Sequence, residues 1–285
     1  MSIDLVTALH SGSSVFGAEL RPPRAELETG EGMDAWIDTY HAVRGLTRQR
    51  TFVFLTDGAV GAREEDNLRH LIINLGGDVP RERVVPILTS KHSLEFCLSY
   101  AERARQNGFK ALVVLGGDAR VGAPRCVEHA WELRKILQAR DRTIALGGWA
   151  NPNRSPEQQV DYLASPDFHA EFFLTQVVSH HQAKPVARFL EIADERGITL
   201  PGVFGVFYYR SANRRTLEAL NDFLPVPVEE LTREFAAGAT PDEICARTIR
   251  TMIDAGARHF YVSNLPIGRA QAVLGAIRER VGVTI

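Results

Sequence analysis

The stretch VVPILTSKHSLEFCLSYAERARQNGFKALVVLGGD, residues 84–118, decides the fold. It opens on a short apolar run, 84–89, of the length and β-branched character of a strand covered on both faces. Over 93–107 the period changes: Leu94, Cys97, Leu98, Ala101 and Ala104 recur at three- and four-residue steps, one face of an amphipathic helix. A second apolar run follows at 111–116. Strand, helix and strand in that order and length make one βα unit with a parallel crossover.

The same rhythm extends in both directions. Apolar runs stand at 15–20, 51–56, 84–89, 111–116, 143–148, 172–175, 202–207 and 258–262. A helical pattern at 183–196, carried by Val186, Phe189, Leu190 and Ala193, matches the one at 93–107. The long gap before the last run holds helical patterns at 213–223 and 240–255. The Pro225-Val-Pro227 break and a short helix at 229–236 separate them. Thr240-Pro-Asp-Glu243 has the form of an N-cap with proline at the first helical position and an acid at the third. Eight such units in series predict a single eight-stranded parallel (β/α)8 TIM barrel, one domain over 1–285. At roughly 150 residues per domain the length would also allow two domains. A doubly wound open sheet is the other topology, but the GxGxxG fingerprint it usually carries is missing.

With 33 Lys plus Arg against 35 Asp plus Glu, the formal charge of −2 lacks the excess that phosphate backbones or anionic membranes demand. No uncharged apolar run approaches the roughly 18 residues of a membrane span, and the N-terminal segment has no charged and apolar leader pattern. The expectation is a cytoplasmic protein without nucleic-acid or membrane partners. Cys97, Cys126 and Cys245 each fall in stretches read as helix, and are expected as separate reduced thiols. No metal is expected: the side chains of His180 and His181 point apart in either regular structure, and no carboxylate or cysteine completes a set. GxSxG, HExxH, CxxC and Walker motifs are absent.

In a parallel barrel, chemistry gathers where the strands end, because those edges share one mouth. The ends here deliver Glu19 with Arg21 and Arg24, Thr56-Asp57-Gly58, Thr89-Ser90-Lys91, Gly116-Gly117-Asp118, Trp149-Ala150-Asn151, Thr175-Gln176, Tyr208-Tyr209-Arg210 and Ser263-Asn264. Glu19 stands inside an apolar strand, where desolvation raises a carboxyl toward general-acid range; the bland alternative is an ion pair with Arg21 or Arg24. Gly116-Gly117 clears the strand end for a ligand beside Asp118, or Asp118 merely caps the next helix. Gln176 offers one donor and one acceptor to an amide-like heterocycle edge, unless it is a solvated loop residue. Trp149 is a stacking surface for a planar ligand, or packing.

Together these motifs resemble the methylenetetrahydrofolate reductase family. Glu19-Leu-Arg-Pro-Pro-Arg24, Phe52-Val-Phe-Leu-Thr56, Pro86-Ile-Leu-Thr89, Leu115-Gly-Gly-Asp118 and Leu174-Thr-Gln176 fall in that family's order and spacing, from about residue 15 to the C-terminus. The resemblance implies an α/β barrel that reduces methylenetetrahydrofolate with NADH or NADPH. It implies Glu19 as general acid, Asp118 beside the pterin as a second catalytic group, and Gln176 and Thr56 as substrate contacts. Thr56, Thr89, Gly117 and Trp149 would face the cofactor. The departures concentrate on the flavin positions: Ile87 replaces a histidine, Gly116 an arginine, and 164–170 lacks the family's lysine. Lost phosphate contacts of this kind forfeit roughly 1.5–3 kcal/mol each. The expectation is a site that has weakened or abandoned FAD, with hydride passing directly from the nicotinamide. The rivals are a non-redox folate-dependent methyltransferase or demethylase barrel, the FAD-dependent form of the same reductase, and a non-catalytic relic kept for complex formation.

Overall fold

Eight parallel strands pair in chain order, and the eighth returns to the first, closing a barrel. They are β1 Phe16–Leu20, β2 Phe52–Leu55, β3 Val84–Thr89, β4 Ala111–Leu115, β5 Ala145–Ala150, β6 Phe172–Val178, β7 Gly202–Phe207 and β8 His259–Ser263. This computed structural model describes residues 3–23, 29–57, 67–118, 122–221 and 223–282. Helices α1 Leu5–His10, α2 Thr29–Arg48, α3 Asn67–Asn74, α4 Leu94–Gln106, α5 Ala130–Arg140 and α6 Pro156–Ala164 precede the sixth strand. After it come α7 Ala183–Glu195, α8 Arg214–Asn221, α9 Val228–Ala236, α10 Pro241–Asp254 and α11 Ala270–Val281. All eight expected strands are present. Thr240 caps α10 as its sequence suggests: its hydroxyl accepts from the Glu243 N–H, and the Glu243 carboxylate accepts from the Thr240 N–H.

Two strands differ from the expected runs by more than one residue at an end, each for a local reason. The fifth strand starts at Ala145, not residue 143, because the Asp141 carboxylate accepts from both the N–H and the hydroxyl of Thr143 and turns the chain there. The sixth runs to Val178, past Gln176, because a bulge between Leu174 and Val177 takes up the polar residues without ending the ladder.

Strand alternation sorts the side chains into two layers. Outward residues such as Ala18, Val53, Leu88, Val114, Phe173 and Val262 pack against the helices. Inward residues Phe52, Phe54, Val85, Ile87, Val113, Phe172, Leu174, Val203 and Tyr261 fill the barrel, and Leu5, Ala8 and Leu9 of α1 plug its N-terminal end. A third cluster, Val177, Phe207, Tyr209, Leu217, Val226, Leu231 and Ile244, is the separate small core of the β7–β8 connection. Among the described residues, no helix is long and apolar enough to cross a membrane.

The interior accommodates its aromatic rings because glycines face them. A Cβ on Gly17 would lie 2.6 Å from the Phe54 ring, one on Gly147 2.6 Å from Phe172, and one on Gly205 2.5 Å from the Tyr261 hydroxyl. Overpacking of this kind costs about 1–3 kcal/mol. Gly205→Ala is therefore expected to destabilise by about that amount in urea unfolding. Gly275→Ala, on α11 with nothing within 4 Å of the added carbon, should be neutral or stabilising by up to about 1 kcal/mol.

Candidate functional site

The first strand places Glu19 inward, above Gly17 and in register with Phe54 of β2. Only an edge of it is exposed. Its Oε1 accepts a hydrogen bond of 2.8 Å from the hydroxyl of Ser263, at the end of β8. Burial pushes the carboxyl above its usual range, and the Ser263 hydrogen bond and the field of Arg21 only partly counter this. Among the described residues Glu19 has no ion pair, so pairing with Arg21 is not how its burial is offset; Arg24 lies outside them. Below it Tyr261 crosses the interior to donate to the Thr175 carbonyl at 2.6 Å. Burial, then the nearby Glu19, pushes the Tyr261 phenol far up, so it stays protonated.

That hydrogen bond sits at the β6 bulge, where the polar atoms are satisfied from within. The Thr175 hydroxyl accepts from the Gly205 N–H at 3.1 Å and donates to the Gln176 carbonyl at 2.8 Å. The Val177 N–H donates to the side-chain oxygen of Gln176 at 2.9 Å. This N–H can only donate, so it orients the amide with its oxygen toward the backbone. Its oxygen is thereby engaged once by the backbone, which leaves a second lone pair and the amide N–H groups as what Gln176 can offer a ligand. It is also a strand residue, not a solvated loop residue.

The ends of β2 and β3 are tied together by Asp57, with His92 as a partner that the sequence does not point to. Asp57 accepts from the N–H of Thr89 at 2.8 Å, from its hydroxyl at 2.9 Å, and from His92 Nε2 at 2.8 Å. Thr89 is fully buried, and both its N–H and its hydroxyl are engaged by Asp57. Thr56 continues the ladder beyond β2, its N–H donating to the Leu20 carbonyl. The signal for His92 was present three residues after a strand end, but a lone histidine there has no distinguishing pattern. Gly58 lies outside the described residues.

The two glycines after β4 are occupied, contrary to the expectation of open space. A Cβ on Gly116 would meet the Arg125 guanidinium carbon at 2.9 Å, and one on Gly117, at φ +70°, the Lys91 side chain at 2.8 Å. Arg125 donates to the Gly117 carbonyl at 2.6 Å. A cation from the following loop thus lies over Gly116. Lys91, Arg125 and Glu128 line an open cleft of about 390 Å³ with Pro124, Cys126 and Val127. Asp118 is half-buried, and α5 begins twelve residues later on the cap residue His129, so Asp118 does not cap it. Trp149 points inward from β5 onto the barrel-filling cluster and is half-buried at the mouth.

Two other sequence expectations need correction. Cys126 lies in the loop before α5, not in a helix, and its backbone N–H donates to the Ser90 carbonyl. That brings it to the buried Cys97, whose thiol burial and Cys126 together push up to about 12. His180 and His181 do not point apart. They lie in a 3-10 turn with ring centroids 3.9 Å apart, and Glu234 of α9 reaches both.

No protein-family model and no curated protein matches the sequence. A solved structure of an uncharacterized protein from Clostridium thermocellum, which binds two copies of 5-methyl-5,6,7,8-tetrahydrofolic acid, is similar at TM-score 0.67 and 15% identity. The match covers 95% of this chain and 96% of that one, and the likeness is one of fold. Dihydropteroate synthase from Thermus thermophilus, in complex with 6HMPPP, gives TM-score 0.46 and 13% identity over 94% of each chain.

Removing the Ser263 hydroxyl takes away a hydrogen bond that favours the ionised form of Glu19. Ser263→Ala should therefore raise the Glu19 pKa further, read directly as an upward move of its carboxyl titration by infrared or NMR difference spectroscopy. An unchanged or lowered midpoint would show that the hydrogen bond does not tune this carboxyl.

Proposed function

We propose that the chain reduces 5,10-methylenetetrahydrofolate to 5-methyltetrahydrofolate with NADH or NADPH, by direct hydride transfer and without dependence on FAD. The observation that carries this reading is Glu19: a carboxyl held above its normal range by burial, at the mouth of a barrel, with one hydroxyl partner and, among the described residues, no cation paired to it. The fold it shares with the Clostridium thermocellum folate-binding protein supports folate as the ligand class.

The reaction asks for an acid. The five-membered ring of the substrate opens when one of its two nitrogens is protonated, leaving an iminium at the other that accepts hydride. Glu19 supplies that proton, and Ser263 holds the carboxyl in place. When bound, the dihydronicotinamide supplies the hydride. Asp118 and the amide of Gln176 hold the pterin from β4 and β6, with Thr56 beside them. Trp149 presents a ring face for stacking on a planar ligand. Thr89 acts through Asp57, and Gly117 through Arg125, which with Lys91 would hold the anionic phosphates of the dinucleotide. Ile87, buried in the barrel, leaves the flavin position of β3 without an imidazole. Positive charge at the β4 rim is present in Arg125, so the absence of flavin dependence rests on Ile87 and the 164–170 segment.

The test is NADH oxidation by purified protein with methylenetetrahydrofolate, in flavin-free buffer and with FAD added. Turnover in both at the same rate is expected. Turnover only with FAD would restore the flavin-dependent form, and folate binding without NADH consumption would replace reduction by non-redox methyl transfer. Glu19→Gln should lower kcat by roughly 10²–10⁴-fold while still binding 5-methyltetrahydrofolate. Because the working form is the protonated one and its pKa is raised, kcat/KM should be flat at low pH and fall as pH rises through that pKa.

A further inference from the structure

Away from the barrel mouth's centre, one group of three side chains among the described residues has the make-up of a metal site. His180 and His181 follow β6, and Glu234 sits on α9, more than fifty residues later. One donor atom from each lies within 4.8 Å of the others. His180 Nε2 is 3.1 Å from Glu234 Oε1, and His181 Nε2 is 3.2 Å from Oε2. Bonds of about 2.0–2.1 Å around a tetrahedral zinc place neighbouring ligand atoms about 3.3 Å apart. Each histidine nitrogen thus already stands at about that spacing from a Glu234 oxygen, and all three donors fall within 4.8 Å of one another.

The surroundings also fit. The Thr248 hydroxyl on α10 is buried and lies 2.8 Å from His180 Nδ1. A hydroxyl can donate to that nitrogen when Nε2 carries the proton, and accept from it when Nε2 is given to a metal. It thus holds the ring in one orientation in both states, as outer partners of metal-bound imidazoles do. The other charged groups facing the cluster are Glu230, Arg233 and Arg247. Arg247 is ion-paired with Glu234, and its side chain is 46% exposed against 12% for Glu234. It is a competitor that can swing into solvent when a cation takes its place.

We propose that His180, His181 and Glu234 bind one divalent transition-metal ion of the zinc type, stapling the β6–α7 turn to α9. The ion would lock the small core of the β7–β8 connection, Leu231 included, onto the barrel rim. It replaces the Arg247 ion pair, and two neutral imidazoles move a proton from Nε2 to Nδ1 without net release.

The full chain, stripped with chelator, is titrated with Zn(II) by calorimetry and with Co(II) by visible absorption. One equivalent is expected, with the absorption of a four- or five-coordinate cobalt and a higher Tm. His181→Gln and Glu234→Gln should abolish the bound equivalent, with circular dichroism confirming the fold. Thr248→Val should weaken binding about ten- to a hundredfold, the usual effect of losing an outer partner. Arg247→Ala should tighten it, a direction that histidines elsewhere on the surface would not produce. Absence of binding by the wild-type chain, or binding unchanged in His181→Gln and Glu234→Gln, overturns the proposal.

Discussion

The hydrogen bond from the Tyr261 hydroxyl to the Thr175 carbonyl organises much of the barrel around it. A phenol buried in a packed interior must find a partner or cost free energy on the scale of a lost hydrogen bond. The acceptor is available because β6 bulges on its β7 side, which takes Thr175 out of the β6–β7 ladder. The bulge in turn demands substitutes for its own lost backbone partners, and the Thr175 hydroxyl and the Gln176 side chain provide them. Gly205 completes the arrangement, since any side chain on its inward face would occupy the space of the phenol oxygen.

One consequence reaches the mouth. The same bulge that seats Tyr261 fixes the Gln176 side chain through the Val177 N–H. It also sets a neutral phenol beneath Glu19, so that the carboxyl above lies over a filled interior. A closely packed floor favours an acid with a raised pKa, because burial disfavours the ionised form. The chemistry proposed for Glu19 thus depends on how well the layer below it is packed.

The opposite side of the mouth is built differently. There Asp57, Thr89 and His92 join two strand ends, while Lys91 and Arg125 lie across the glycines of β4. One side carries a desolvated acid and an amide; the other carries ionic and cationic groups around an open cleft. A ligand pair with a heterocycle at one end and anionic groups at the other suits that division, as a reduced folate with a dinucleotide would.

By itself the sequence determined the eight strands, five of the helices around them, the closed topology, the cap at Thr240 and the place of Glu19 and Asp118 at strand ends. Each is written in a local period or a local motif, and parallel strands with short crossovers leave few other topologies. The tertiary structure alone decided how those groups are used. Tyr261 and Thr175 are 86 residues apart, Asp57 and His92 are 35, and His180 and Glu234 are 54. No spacing rule spans such distances, because side chains so far apart in the chain meet only after the barrel closes. The readings of an open Gly116-Gly117 floor and a divergent His180-His181 pair both fell at such places. In each, a residue from another element occupied or joined what the local pattern had left open.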